Sequence, residues 1–157
     1  LFLLKTINME FNNIQEIILQ NFQPKINTRM KDFPSPTNDY FLKIVSIARI
    51  IMPEMNIQIP PNLSPTSYSS FIDAGINDWG GISPITIDHV NPEFQWPNIK
   101  KLQYITELMH QRLRARLPVY PEFIDKHDFI SPQLRNYVES FIGFDRLVKE
   151  GYLDEFR

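Results

Sequence analysis

A chain of 157 residues, 43% hydrophobic and 13% aromatic, is long enough to bury one real core and belongs with globular rather than disordered proteins. A net charge of −2 with mixed signs leaves no electrostatic footprint for nucleic acid or an anionic membrane, and no apolar run reaches the roughly 18 residues of a transmembrane helix. The absence of cysteine excludes disulfides and cysteine-ligated zinc or iron–sulfur sites within these residues. Leu1-Phe2-Leu3-Leu4 is too short for a signal-peptide core and lacks a basic leader, so a cytoplasmic location is expected. The first residue is Leu rather than Met, which suggests a fragment or a processed start.

Leu1 to Glu10 is apolar and reads as the end of a helix. Ile14 to Gln20 is rich in β-branched residues, dense enough for a buried parallel strand, and polar side chains begin abruptly at Gln20-Asn21. A loop of about 15 residues follows to Thr37, long enough to be functional or mobile. Thr37 or Asn38 caps a helix from Asp39 to Ile51, whose stripe Phe41, Ile44, Val45, Ala48, Ile51 and Met52 faces a core and which Pro53 ends. Asn56 to Ile59 is a second short strand, stopped by Pro60-Pro61 with Asn62 at its mouth. Ser64, with Pro65 in the first turn, is expected to cap a helix running to Ala74 and closed by Gly75. Ile76 to Trp79 is a third strand candidate.

The order helix, strand, helix, strand, helix, strand argues for parallel strands joined by crossovers, an α/β fold. The polar clusters Gln20/Asn21, Gln58/Asn62 and Asp78/Ser83 all fall at the carboxyl ends of these strands, the rim that carries the active site in an α/β barrel. After the third strand come two adjacent glycines, Gly80 and Gly81, and a polar loop stiffened by Pro84, Pro92 and Pro97, with Ser83, Thr86 and Asn91 as donors and acceptors. A helix from Asn98 to Arg114 follows, with Arg112, Arg114 and Arg116 near its end, where cations suit the dipole or reach an anionic ligand. Short helices are expected over Glu122–Lys126, Gln133–Phe141 and Asp145–Tyr152, the middle one started by Ser131-Pro132. Three strands cannot close a barrel, so open sheet edges are expected.

Three stretches in register carry a resemblance: Ile14 to Lys25, Gln58 to Leu63, and Gly75 to Pro84 running on to Asp88-His89-Val90-Asn91-Pro92-Glu93. Together they resemble the radical SAM enzyme family of FO synthase, subunit 1, over nearly the whole chain, and Arg116 to Pro121 is similar to the segment after that family's last barrel helix. The resemblance implies that residues 1–117 are the C-terminal portion of a radical SAM (β/α)8 barrel, with about three parallel strands alternating with helices, and that residues 118–157 form a helical tail. It implies a radical SAM lyase that forms the deazaflavin FO (7,8-didemethyl-8-hydroxy-5-deazariboflavin) of coenzyme F420 from a hydroxybenzyl–ribityl-diaminouracil adduct with loss of ammonia. S-adenosylmethionine and a [4Fe-4S] cluster are the implied cofactors. The family's three-cysteine motif has no match here, so the chain would be a C-terminal half, inactive alone. Its implied partners are an upstream half carrying the cluster and FO synthase subunit 2, which supplies the tyrosine-derived adduct. Alternatives are FO synthase subunit 2 itself, a menaquinone-pathway radical SAM relative, or a non-catalytic remnant or partner-dependent half of a split enzyme. The Asn91-Pro92 to Trp96-Pro97 segment favours subunit 1.

The candidate substrate- or cofactor-binding residues are Gln20, Asn21, Gln58, Asn62, Asp78, Trp79, Gly80, Gly81 and Ser83, and no catalytic residue is assigned. Amides such as Gln20 and Asn21 suit a uracil-like ring or ribityl hydroxyls, which need donors and acceptors without net charge; the competing role is capping of loop backbone. Gln58 faces a barrel interior if its neighbours point into the helical layer. Asn62 is either a ligand contact or an Asx-turn residue, and Asp78 either takes substrate NH and OH groups or ties down its own loop. Trp79 and Trp96 can stack on a flat ring or pack. His89, His110 and His127 have no metal-ligand spacing. His89 beside Asp88 is a candidate site residue or half of a surface hydrogen bond. No phosphate loop, nucleophile elbow or HExxH pattern is present.

Overall fold

The computed structural model describes residues 1–126 and 128–151. The chain forms two compact units, Leu1–His110 and Gln111–Arg157. The first unit runs α1 (Phe2–Phe11), β1 (Glu16–Ile18), α2 (Asn38–Ile51), β2 (Asn56–Gln58), α3 (Tyr68–Asp73) and α4 (Ile99–Leu108), with a 310 turn at Pro61–Leu63.

β1 and β2 are parallel, with Glu16 opposite Asn56, Ile17 opposite Ile57 and Ile18 opposite Gln58. The third segment joins as a single parallel bridge, Gln58 to Asp78, where the Asn77 N–H donates to Ile57 O and the Ile59 N–H to Asp78 O, both at 3.2 Å. The parallel order expected from the sequence is therefore present, although β1 is shorter than Ile14 to Gln20. Of its β-branched residues Ile17 is buried, while Ile18 is 53% exposed. The sheet is small and does not close.

α2 begins where Thr37 Oγ1 accepts from the Tyr40 N–H at 3.3 Å, and it buries Phe41, Val45 and Ala48. Phe41 and Phe71 meet edge to face at 5.5 Å, locking α2 to α3. Ser64 does not cap α3 as expected. Asn62, Leu63 and Ser64 are tucked inside, the chain turns again where the Ser67 N–H bonds Ser64 O at 3.3 Å, and the helix starts at Tyr68. Gly75, at φ +106°, closes it. A β-carbon there would stand 2.7 Å from Arg49 Cγ, so the glycine also makes room for the arginine.

That arginine organises the amino ends of the strands. It donates from Nε to Gly75 O, from Nη1 to Pro53 O and Met55 O, each at 2.7 Å, and from Nη2 to Asn77 Oδ1 at 3.2 Å. Asn77 Oδ1 also takes the Ile57 N–H at 2.8 Å, and its Nδ2 donates to Asn56 Oδ1 at 2.7 Å. Asn56 Nδ2 reaches Gln15 O at 2.9 Å. Burial pulls the Arg49 guanidinium below its usual value, against the raising effect of Glu54.

α4 also departs from expectation. Asn98 caps it, its Oδ1 accepting the Lys101 N–H at 3.1 Å, but it ends at Leu108 rather than Arg114. His110 takes φ +57° and turns the chain out of the helix. Arg112 and Arg114 therefore do not serve a helix dipole. In the second unit Arg114 Nη1 binds Asp145 Oδ2 at 2.8 Å and Arg112 pairs with Glu150.

The second unit contains α5 (Pro121–Ile124) and α6 (Pro132–Phe141) around a core of Ile124, Ile130 and Ile142, with Leu117, Val119 and Val138 packed against it. The helix expected over Asp145–Tyr152 is not formed in its described part: an antiparallel bridge from Ile142 to Val148 and the αL residue Arg146, at φ +61°, make a reverse turn instead. Arg146 holds that turn by binding Glu139 at 2.9 Å and Asp125 at 2.6 Å. Tyr152 and His127 lie outside the described residues. Among the described residues no helix is long and apolar enough to cross a membrane, and no group of three metal-ligating side chains occurs.

Candidate functional site

Parallel strands bring their ends to one side, and of the residues singled out in the sequence the structure brings Gln58, Asp78 and Gly80 together at the carboxyl edge of the sheet. Asn21 lies three residues beyond β1 and Asn62 four beyond β2, while Asp78 pairs with the last residue of β2. Gln58 is half-buried and its side chain lies against Gly80. Gly80 has φ +72°, and a β-carbon on it would fall 2.2 Å from Gln58 Nε2. The backbone conformation and the close approach both require glycine. Gly81, by contrast, is exposed with open space about it.

Asp78 Oδ1 accepts the Gly80 N–H and so fixes the turn. Ser83 Oγ accepts the Thr86 N–H at 2.9 Å and the Thr86 hydroxyl at 2.8 Å. Trp79 is buried and meets Tyr68 edge to face at 5.4 Å, which is packing geometry. Burial raises the Tyr68 phenol above its ordinary value. Gln20 is exposed.

The amides differ from these braced groups. Among the described residues three buried side-chain polar atoms lack any partner: Asn21 Oδ1, Asn62 Oδ1 and Trp96 Nε1. Native interiors pair almost all such atoms. Asn62 is the deepest of the three, only 2% exposed. Its other end is held: Nδ2 donates to Asp88 Oδ2 at 2.8 Å.

Asp88 and Asn91 emerge as site residues that sequence reasoning undervalued. Asp88 Oδ1 takes the Val90 N–H at 2.9 Å and the Asn91 N–H at 3.1 Å, and Oδ2 takes Asn91 Nδ2 at 3.1 Å. Desolvation pushes the Asp88 carboxyl up, but the hydrogen bonds from Asn91, Asn62 and Val90 outweigh it and hold it at about 2. The signal available was the spacing Asp-x-x-Asn before Pro92, an Asx-turn pattern; nothing in it foretold the reach across to Asn62. His89, within this turn, is exposed. Lys25 pairs with Glu93 and ties the loop after β1 to this loop, and that hydrogen bond chiefly lowers the Glu93 carboxyl.

Known proteins match this chain over most of its length. It is 39% identical over 155 residues, 99% of this chain, to a 7,8-didemethyl-8-hydroxy-5-deazariboflavin synthase of Methanocaldococcus jannaschii. It is 44% identical over 121 residues, 77% of this chain, to the protein of the same name from Methanopyrus kandleri. An FO synthase of Streptomyces coelicolor is 44% identical over 140 residues, 88% of this chain. Over most of its length the chain is similar to FO synthases. It spans a minority of these FO synthases: 40% of the M. jannaschii protein, 36% of the M. kandleri protein and 16% of the S. coelicolor protein. No family model matches the chain. No solved structure matches it.

Proposed function

We propose that this chain is the C-terminal portion of the radical SAM (β/α) barrel of an FO synthase, with a C-terminal tail, and that it binds the hydroxybenzyl–ribityl-diaminouracil adduct whose ring closure, with loss of ammonia, yields FO. The likeness over 155 residues to a named deazariboflavin synthase carries this reading. Two features support it. Parallel strands end in unpartnered buried amide oxygens, which suit a neutral ligand rich in N–H and O–H groups. The apolar side chains Phe2, Leu3, Met9 and Phe11 of α1, together with Ile18, are exposed, the kind of surface that neighbouring barrel elements cover.

The residues present do not fit a [4Fe-4S] cluster, because the chain has no cysteine. S-adenosylmethionine, when bound in the whole enzyme, supplies the radical chemistry. The share of this chain is to orient the adduct and exclude water at the strand ends. Asn21 and Asn62 offer acceptors, Gly80 makes room for the Gln58 side chain at this edge, and Asp78 stiffens the turn that shapes it.

The test is anaerobic reconstitution of the chain alone and joined to a cysteine-bearing upstream segment, followed by addition of S-adenosylmethionine, a reductant and the adduct, with FO read by its fluorescence. The joined protein should make FO and the chain alone should neither assemble a cluster nor make product. Product from the chain alone, or none from the joined and cluster-loaded protein, would overturn the proposal.

A further inference from the structure

Asp88 sits between two amides and two backbone N–H groups, and its two oxygens accept all four hydrogen bonds. An ionised carboxylate only accepts. Any amide that faces it must therefore turn its NH2 toward it. For Asn62 this removes the usual freedom of an amide to flip, since its oxygen and nitrogen are nearly the same size. Its Nδ2 is committed to Asp88 at 2.8 Å. Its Oδ1 is consequently left as a buried acceptor with nothing to accept from, in a residue 2% exposed. An apolar side chain of similar volume would avoid that unsatisfied atom.

We infer that Asp88 and Asn91 are positioning residues that hold Asn62 Oδ1 as a preset acceptor for an N–H of the substrate's uracil ring system, so that this subsite selects a hydrogen-bond donor. A hydroxyl both donates and accepts, so it would pair with either orientation of the amide and would gain little from a fixed one. An N–H donates only, and rewards an acceptor that cannot turn away. The preset acceptor follows from the geometry; the uracil ring as its occupant rests on the FO synthase reading.

The experiment uses the full-length enzyme and titrates the ribityl-diaminouracil adduct calorimetrically, with the melting temperature of each variant measured alongside. Asn62→Leu and Asp88→Asn should each weaken binding by about tenfold or more. The swap Asn62→Asp with Asp88→Asn should recover most of that loss, because a carboxylate at 62 accepts from the amide at 88 and still offers an oxygen to the ligand. The swap also keeps the test alive if Asn62→Leu fails to fold. Unchanged affinity in folded Asp88→Asn, as when Asn62 Oδ1 meets only an ordered water, would overturn the inference. So would a swap that restores the melting temperature but not binding, since the three residues would then be a loop brace. A wild-type enzyme that binds the adduct in an Asp88-dependent way but makes no FO speaks against the proposed reaction and leaves the preset acceptor standing. Normal FO formation with undiminished binding in the variants sinks the acceptor alone, and a wild type that does not bind the adduct sinks both.

Discussion

The two ends of one small sheet are both lined with asparagines, and they are finished in opposite ways. At the amino ends, Asn56, Asn77 and Arg49 satisfy one another and the surrounding backbone: both ends of the Asn77 amide are used, and the guanidinium donates four hydrogen bonds. At the carboxyl ends, Asn21 and Asn62 are buried at their oxygens and left open there. The same residue type thus serves as a staple where its partners are internal, and at the other end leaves its oxygen unpaired, where the proposed ligand would bind. A saturated network rigidifies a fold, whereas an unpaired buried polar atom is costly.

The comparison predicts that damage to the two ends separates stability from binding. The largest effect on stability belongs to the amino end. Arg49→Met removes the charge-assisted bonds to Gly75 O, Pro53 O, Met55 O and Asn77, and should cost about 3 kcal/mol in urea unfolding, because three backbone carbonyls lose their donor. Adduct binding by the fraction that remains folded should be unaltered. A loss of affinity as large as that of Asn62→Leu would erase the distinction between the ends.

Gly80→Ala comes next. It places a side chain at φ +72° and drives a β-carbon into Gln58, so about 2 kcal/mol of destabilisation is expected together with weakened binding, as Gln58 is displaced from the carboxyl edge. Gly81→Ala is its control. With open space about it, the change should stay within about 0.5 kcal/mol, measured in the same unfolding series.

Acid sharpens the contrast further. The Asp88 carboxyl is held at about 2 against an ordinary value of 3.8, so it contributes stability above pH 3.8 that is lost as pH falls from there through 2. The wild-type acid unfolding curve should therefore fall more steeply between these values than that of Asp88→Asn. Identical slopes would mean that the hydrogen bonds to Asp88 do not persist in solution. A modest effect, between those of Gly80→Ala and Gly81→Ala, is expected from Thr37→Ala, which removes the N-cap of α2, distant in sequence from both asparagine sets, at a cost of about 1 kcal/mol in the same urea unfolding series.

Much of this was legible in the chain before any coordinates. α2 was readable from its cap, its stripe and Pro53, and the parallel order followed from alternation of short β-branched runs with helices. Gly75 announced a helix end. Other elements misled for identifiable reasons. The helical period after Asn98 continues on paper through Leu113, yet His110 adopts αL geometry and α4 stops at Leu108. Ser64-Pro65 carries a strong start signal, but burial of Asn62, Leu63 and Ser64 holds that stretch in turns and delays α3 to Tyr68. Asp145 onward looked helical by composition, and the Arg146 pairs with Glu139 and Asp125 made it a turn instead.

The sequence by itself determined where strands and helices alternate, that no cysteine chemistry resides here, and that amides crowd the strand ends. Those are matters of periodicity, composition and spacing, which act locally along the chain. Only the tertiary structure decided which asparagines are spent and which are open, because that depends on partners far away in sequence: Asp88 reaches back 26 residues to Asn62, and Arg49 forward 26 to Gly75. A hydrogen bond is satisfied in space, and an amide reads the same in sequence whether its oxygen is stapled or waiting.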